Sequence, residues 1–169
     1  MRQLSTVVVV YGPKAAGKSW VADELRRRAR VQHVDADRLV LDLLDRGARP
    51  DPQLGWLDQV EAEVLRTVGE HPLVSVEATG AWDSDWMLAD RLAASGCRVL
   101  LVWVTAPLEV TLQRLAGRRS RKVPVSRQDA AWIHGEATRR AAARSFAAVL
   151  DTSGTPDASK LDKLVTLLL

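Results

Sequence analysis

Along the chain, short runs of β-branched residues alternate with longer stretches whose apolar positions recur at helical spacing. Ser5 to Tyr11 is a continuous apolar run of the kind buried on both faces of a sheet. A glycine-containing turn follows, and the pattern predicts a helix from about Gly17 to Arg30. Val31 to Val34 reads as a short second strand. Ala36 to Asp45 reads as a helix, with Leu39, Leu43 and Leu44 at helical spacing. Gly47 to Pro52 must break it. Leu54 to Glu70 carries Leu57, Val60, Val64, Leu65 and Val68 on one helical face. The third strand is Leu73 to Val76, ending at Glu77. Asp83 or Ser84 caps the next helix, which Gly96 stops. Val99 to Val104 is the fourth strand, and Pro107 opens a helix to about Ala116. Ser126 caps a helix to about Ser145. Ala147 to Leu150 is the fifth strand, and Asp157 to Leu169 closes the chain as an amphipathic helix.

Strands that alternate with helices in this way predict an α/β fold: a three-layer sandwich, with a five-stranded parallel sheet covered on both faces. Ligands of such sheets bind beyond the carboxyl ends of the strands. The expected organisation is one domain over residues 1–169. The charge balance changes little: 47% hydrophobic and 27% charged residues over 169 positions, with a formal net charge of +3. That mild excess suits phosphate handling without requiring nucleic acid. A single cysteine, Cys97, excludes an internal disulfide framework. The three histidines show no metal spacing. The first apolar run is too short for a secretory core, and no stretch approaches the ~20 apolar residues of a membrane span. The expected location is the cytoplasm, with no membrane partner.

The chemistry sits just after each strand. Gly12-Pro13-Lys14-Ala15-Ala16-Gly17-Lys18-Ser19 reads G-x-x-x-x-G-K-S, the phosphate-binding P-loop. Its backbone N–H groups and the following helix N-terminus cradle anions. Gly12, Lys14, Ala15, Ala16, Gly17, Lys18, Ser19 and the adjoining Trp20 form the expected nucleotide-binding set. Lys18 reaches the β- and γ-phosphates, and Ser19 binds Mg²⁺. After the second strand come Asp35 and Asp37, with Arg38 beside them. Phosphoryl transfer to a hydroxyl needs a carboxylate to orient the nucleophile and others to hold the metal's water shell. Asp35 is equally a good helix cap.

Glu77 ends the third strand and is a further candidate for Mg²⁺. Thr79, Gly80 and Trp82 follow it. Six tryptophans against one Phe and one Tyr is an unusual balance. Trp56, Trp82, Trp86 and Trp132 fall where they would border an acceptor pocket. The indoles of Trp20 and Trp103 read as structural. A basic stretch holds Arg118, Arg119, Arg121 and Lys122, with Arg127 beyond; arginines there would neutralise a transferring phosphoryl group. No N-K-x-D motif supports guanine.

Taken together, GPKAAGKS, VDADRL, VEATG, the V-T-A-P-L-E-V-x-x-x-R-L-x-x-R segment and the terminal LDTSG resemble the P-loop small-molecule kinases, the group of shikimate, gluconate, dephospho-CoA, chloramphenicol and polynucleotide kinases. The resemblance runs from Thr6 to Leu169. It implies strand order 2-3-1-4-5, ATP and Mg²⁺ as cofactors, acceptor-binding helices at about 36–70 and an arginine lid at about 117–127. It implies that Asp37 engages the acceptor hydroxyl, with Asp35 nearer the metal. Arg114 would lie near the adenine, and Arg118 or Arg121 on the phosphates. The third-strand segment lacks the G-G-G of shikimate kinases, so no subfamily is assigned. The expected activity is transfer of the γ-phosphoryl group to a hydroxyl of a small molecule. A nucleotide or polynucleotide 5′-kinase is a less favoured alternative, and a non-catalytic ATP-binding module is another. Acceptor identity and oligomeric state are not encoded in any motif.

Overall fold

The computed structural model describes residues 4–119 and 122–169. Five strands, β1 (Thr6–Tyr11), β2 (Gln32–Val34), β3 (Leu73–Ala78), β4 (Arg98–Thr105) and β5 (Ala148–Asp151), form one parallel sheet in the order β2-β3-β1-β4-β5. Seven helices connect or close them: α1 (Lys18–Ala29), α2 (Ala36–Asp45), α3 (Leu57–Glu70), α4 (Asp83–Ala94), α5 (Leu108–Ala116), α6 (Arg127–Ala141) and α7 (Ala158–Leu168). The order and the parallel pairing are those expected.

β1 is buried along its whole length, and its side chains alternate between two cores as the strand pleat requires. Val7, Val9 and Tyr11 pack with Val60 and Val64 of α3 and Leu92 of α4. Val8 and Val10 pack with Val21 and Leu25 of α1 and Leu161 and Leu164 of α7. Because the strands are parallel and in register, Tyr11 pairs with Ala78 on one side and Trp103 on the other. The carboxyl ends of the three central strands therefore open onto one edge. The chain turns there at Gly12, where a Cβ would lie 2.3 Å from the Val104 carbonyl oxygen. Only glycine fits that approach.

Several boundaries differ from expectation, each for a local reason. β3 continues two residues past Val76, so Glu77 lies within the strand, paired with Val10. α3 begins at Leu57, not Leu54, because the Asp51 carboxylate accepts the N–H groups of Gln53 and Leu54 at 2.8 Å and Asp51 pairs with Gly55. α6 ends at Ala141, four residues early, as the chain tightens into turns with Arg144 N–H bonded to the Ala141 carbonyl. Among the described residues no helix is long and apolar enough to cross a membrane.

Two tryptophans depart from the sequence reading. Trp86 is in the core, not on the rim: it is 3% exposed, its ring stacks on Tyr11 at 4.1 Å, and its Nε1 donates to the Gly80 carbonyl at 3.1 Å. Trp20 is outward-facing at 38% exposed, so its indole is not core. Trp103 is buried as expected, against Phe146. Trp86→Ala is expected to destabilise the fold by about 3–5 kcal/mol. Trp82→Ala, which removes only an exposed ring pair with Trp132, should cost less than about 1.5 kcal/mol. Urea denaturation of the two variants, followed by far-UV circular dichroism, measures the contrast.

Candidate functional site

The loop between β1 and α1 is shaped to present backbone N–H groups. Ala15 and Gly17 both adopt left-handed backbone, at φ 59° and 99°. For Ala15 that conformation costs roughly 1–2 kcal/mol. Such alternation makes a concave nest for an anion, and α1 starts immediately after it with its unpaired N–H groups. The loop is held from behind. Arg114 donates to the Ala15 carbonyl at 3.2 Å and to Thr152 Oγ1 at 2.9 Å, and Thr152 Oγ1 donates to the Ala16 carbonyl. Arg114, expected near an adenine, is thus a strut that ties the loop after β5 to the P-loop.

Lys18 is buried, and its Nζ donates to the carbonyls of Gly12 and Pro13 at 2.9 and 3.0 Å. Burial pulls its pKa down to about 8, against the opposing pull of the Glu77 carboxylate.

Around this loop lies a cavity of about 380 Å³, lined by Lys14, Lys18, Ser19, Asp37, Glu77 and Arg118 among others. Asp37 stands between two ammonium groups, Lys14 at 3.6 Å and Lys122 at 3.8 Å. Lys122 also donates to Ser19 Oγ at 3.4 Å. Glu77 Oε1 is buried without a hydrogen-bond partner. His33 Nε2 lies 3.6 Å from it, beyond hydrogen-bond range. An orphaned carboxylate oxygen in the cavity that Ser19 also lines fits a hard divalent cation. Among the described residues no three His, Cys, Asp or Glu side chains gather into a metal cage. Mg²⁺ takes one or two protein oxygens and completes its shell with water and phosphate.

A second cavity, of about 480 Å³, adjoins the first. Ala36, Asp37, Glu77, Ala78 and Thr79 line both. Its outer wall is the segment before α3, including Trp56, and its floor includes Val40, Val60 and Leu88. Trp82 and Asp85 complete it. Asp85 fixes the loop after β3. Its Oδ2 accepts from Thr79 Oγ1 at 2.7 Å and from the N–H groups of Gly80, Ala81 and Trp82 at 2.8, 3.1 and 3.4 Å. Gly80 has φ +80°, and a Cβ there would meet Trp86 at 2.9 Å.

Most of the expected site residues therefore converge. Lys14, Ala15, Gly17, Lys18, Ser19, Asp37, Glu77, Thr79 and Arg118 share the first cavity, and Trp56, Thr79 and Trp82 reach the second. Gly12 and Ala16 contribute carbonyls behind the loop, and Gly80 shapes the turn. Asp35 and Arg38 do not join them. Asp35 caps α2, accepting the Arg38 N–H at 3.0 Å, and both line a separate hollow with His33 and Arg66. Trp132 is exposed beside Trp82. Arg121 lies outside the described residues. Sequence reasoning gave no role to Lys122, Thr152, Asp85 or His33. Asp85 had a signal, since it is the third residue of α4, where an acidic side chain reaches back to the preceding N–H groups. His33 had none, because its pairing with Ser75 on β3 is a matter of strand register.

The fold has many solved counterparts. A gluconokinase from Sinorhizobium meliloti 1021 superposes with a TM-score of 0.60 at 16% identity, covering 99% of this chain and 93% of that one. A shikimate kinase from Bacteroides thetaiotaomicron gives 0.60 at 15% identity, covering 96% of each. A chain of the Pnkp1/Rnl/Hen1 RNA repair complex gives 0.65 at 15% identity, covering 86% of this chain and 48% of that one. No curated protein matches the sequence. These likenesses establish the P-loop kinase fold. The family model described as AAA domain matches residues 7–144, and the chain belongs to that P-loop family.

Proposed function

We propose that this protein is an ATP- and Mg²⁺-dependent kinase that transfers the γ-phosphoryl group to a hydroxyl of a small molecule, in the cytoplasm. The observation that carries the reading is the seam between the two cavities. A phosphate-binding cavity with four cationic side chains meets an acceptor-sized cavity at Asp37, Glu77 and Thr79. In the reaction the bond from the γ-phosphorus to the acceptor oxygen forms as the bond to the bridging oxygen of ADP breaks. Asp37 accepts the hydroxyl proton. Lys18 leaves the Gly12 and Pro13 carbonyls for phosphate oxygens, and Lys14, Lys122 and Arg118 offset the charge on the transferring group. Ser19 and Glu77 would hold Mg²⁺, which supplies neutralisation of phosphate charge. Catalysis of this kind is mainly positioning and electrostatics. Asp35 and Arg38, turned to the far side of α2, support this chemistry only through the helix that carries Asp37.

A polynucleotide 5′-kinase reading gains support from the likeness to the RNA repair complex chain. It would bring phosphodiesters to the acceptor cavity, whose described lining has acids and no Lys or Arg. That contrast favours the small-molecule reading.

Lys18→Ala is expected to abolish acceptor-stimulated ADP release while leaving the fold intact. Asp37→Asn should lower turnover by about 10²–10⁴-fold. It should not weaken nucleotide binding, because it frees Lys14 and Lys122 from their carboxylate. A binding module without catalysis would show neither split, and isothermal titration alongside steady-state rates distinguishes the cases.

Lys18 also predicts a pH dependence. Its pKa is lowered to about 8 without ligand, and bound phosphate favours the charged form. Nucleotide affinity should therefore be flat below pH 8 and fall above it, by up to about tenfold per pH unit. Lys18→Arg, charged throughout this range, should flatten the profile. The same burial makes the folded state give up the proton before the unfolded chain does, so the lysine's contribution to stability rises between pH 8 and the ordinary lysine range.

A further inference from the structure

The cavity next to the phosphate site has a composition that defines what it accepts. None of its described lining residues is Lys, Arg or His, whereas Asp37, Asp51, Glu77 and Asp85 all line it. Those acids are not surplus charge awaiting an anion. Asp85 is saturated by Thr79 and three backbone N–H groups. Asp51, at the mouth, accepts two N–H groups that hold its carboxyl below the usual range. Most of the remaining wall is apolar, with Val40, Leu54, Leu57, Val60, Leu88 and the Trp56 ring, alongside the uncharged polar Gln53, Thr79 and Ser84.

An anionic acceptor would have to leave water for this wall with no cation to meet it. Burying an unpaired carboxylate or phosphate carries a desolvation penalty that nothing here offsets. Sites that recognise carboxylates use a guanidinium fork, with two parallel N–H bonds. Among the described residues, the cations next to this cavity stand on the other side of the seam. Lys14, Lys18, Arg118 and Lys122 line the phosphate cavity and not this one. A volume of about 480 Å³ falls in the range of pockets for ring-containing small molecules.

We propose that the acceptor is an alcohol with an apolar, ring-sized body and no anionic group, its hydroxyl reaching Asp37 while its body lies against Trp56, Val60 and Leu88. This rests on the kinase reading above and narrows it. Sugar acids and other carboxylate-bearing alcohols are excluded by charge. Uncharged and amine-bearing alcohols are admitted.

The test uses the full chain and a panel of hydroxyl compounds in matched pairs. Each pair shares one aromatic or alicyclic skeleton and differs only as carboxylate against methyl ester, for example 4-(hydroxymethyl)benzoate and its ester. Gluconate and shikimate are included. Two readouts are taken. One is ADP release from MgATP, with Lys18→Ala as the blank. The other is quenching of the tryptophan fluorescence that Trp56→Phe and Trp82→Phe remove. The expected result is that esters outrank their acids at least tenfold in both. Gln53→Arg, which places a guanidinium in the lining at an exposed position, should raise the affinity of the acids and leave nucleotide affinity unchanged. Acids binding or turning over as well as their esters overturn the proposal, as does an absence of ester binding up to millimolar concentration. Quenching that ranks esters above acids, with ADP release at the blank level throughout, overturns the kinase reading and leaves the ligand class standing.

Discussion

The arrangement depends on keeping one ammonium group, Lys18, inside the protein. Two backbone carbonyls of its own loop hold it, and a carboxylate across the cavity opposes the desolvation. Burial of a charge on these terms is unfavourable for folding, and the surrounding structure must outweigh it. Much of the local construction follows. The loop must curl tightly enough to bring the Gly12 and Pro13 carbonyls to Nζ, which forces Ala15 and Gly17 into left-handed backbone. It must lie hard against the strand beside it, which leaves no room for a Cβ at Gly12. It must also be braced from outside, and Arg114 and Thr152 do this from α5 and the end of β5. A site held in this way is preorganised before any phosphate arrives, which is what electrostatic catalysis needs.

The turn after β3 solves a related problem by different means. There the chain leaves the sheet with three consecutive N–H groups at residues 80–82 and no strand to receive them. A single oxygen of Asp85 collects them together with the Thr79 hydroxyl. The Trp86 indole then donates its ring N–H to the Gly80 carbonyl, with Tyr11 stacked on the ring. Tyr11 in turn donates its hydroxyl to the Asp85 carbonyl at 2.7 Å. Core packing and site geometry are one structure here. The ring that fills the space under β1 also sets the shape of the acceptor wall.

What could be read from the sequence divides along these lines. Local chemistry was legible. The P-loop spacing, the alternation of strands and helices, the Ser126 cap and the acid on β3 each depend on near neighbours in the chain. Strand order was available through resemblance to the P-loop kinases, and it holds. What was not legible depends on register and rotation. Asp35 and Asp37 lie two residues apart at the head of one helix, so the turn of that helix sends only Asp37 into the cavity. Trp82 and Trp86 lie four apart and end in opposite environments, because Trp82 precedes α4 while Trp86 lies on its inner face. Lys122 lies in a basic run whose members look alike in sequence, and among the described residues of that run it reaches both Ser19 and Asp37.

The two cavities also explain why Asp37 is flanked by lysines. A carboxylate at the border of a cationic chamber and an acidic, apolar one is drawn toward the cations, and Lys14 and Lys122 sit within 4 Å of it. The four described basic side chains lining the P-loop cavity carry more positive charge than one carboxylate can offset. An acceptor that brought its own anion would compete with the nucleotide for those same groups across a seam only a few residues wide. In the proposed reaction, separation of the two ligands by charge would keep each in its own chamber. The partition that organises binding would also define the reacting centre of that proposed reaction, because Asp37 lines both chambers.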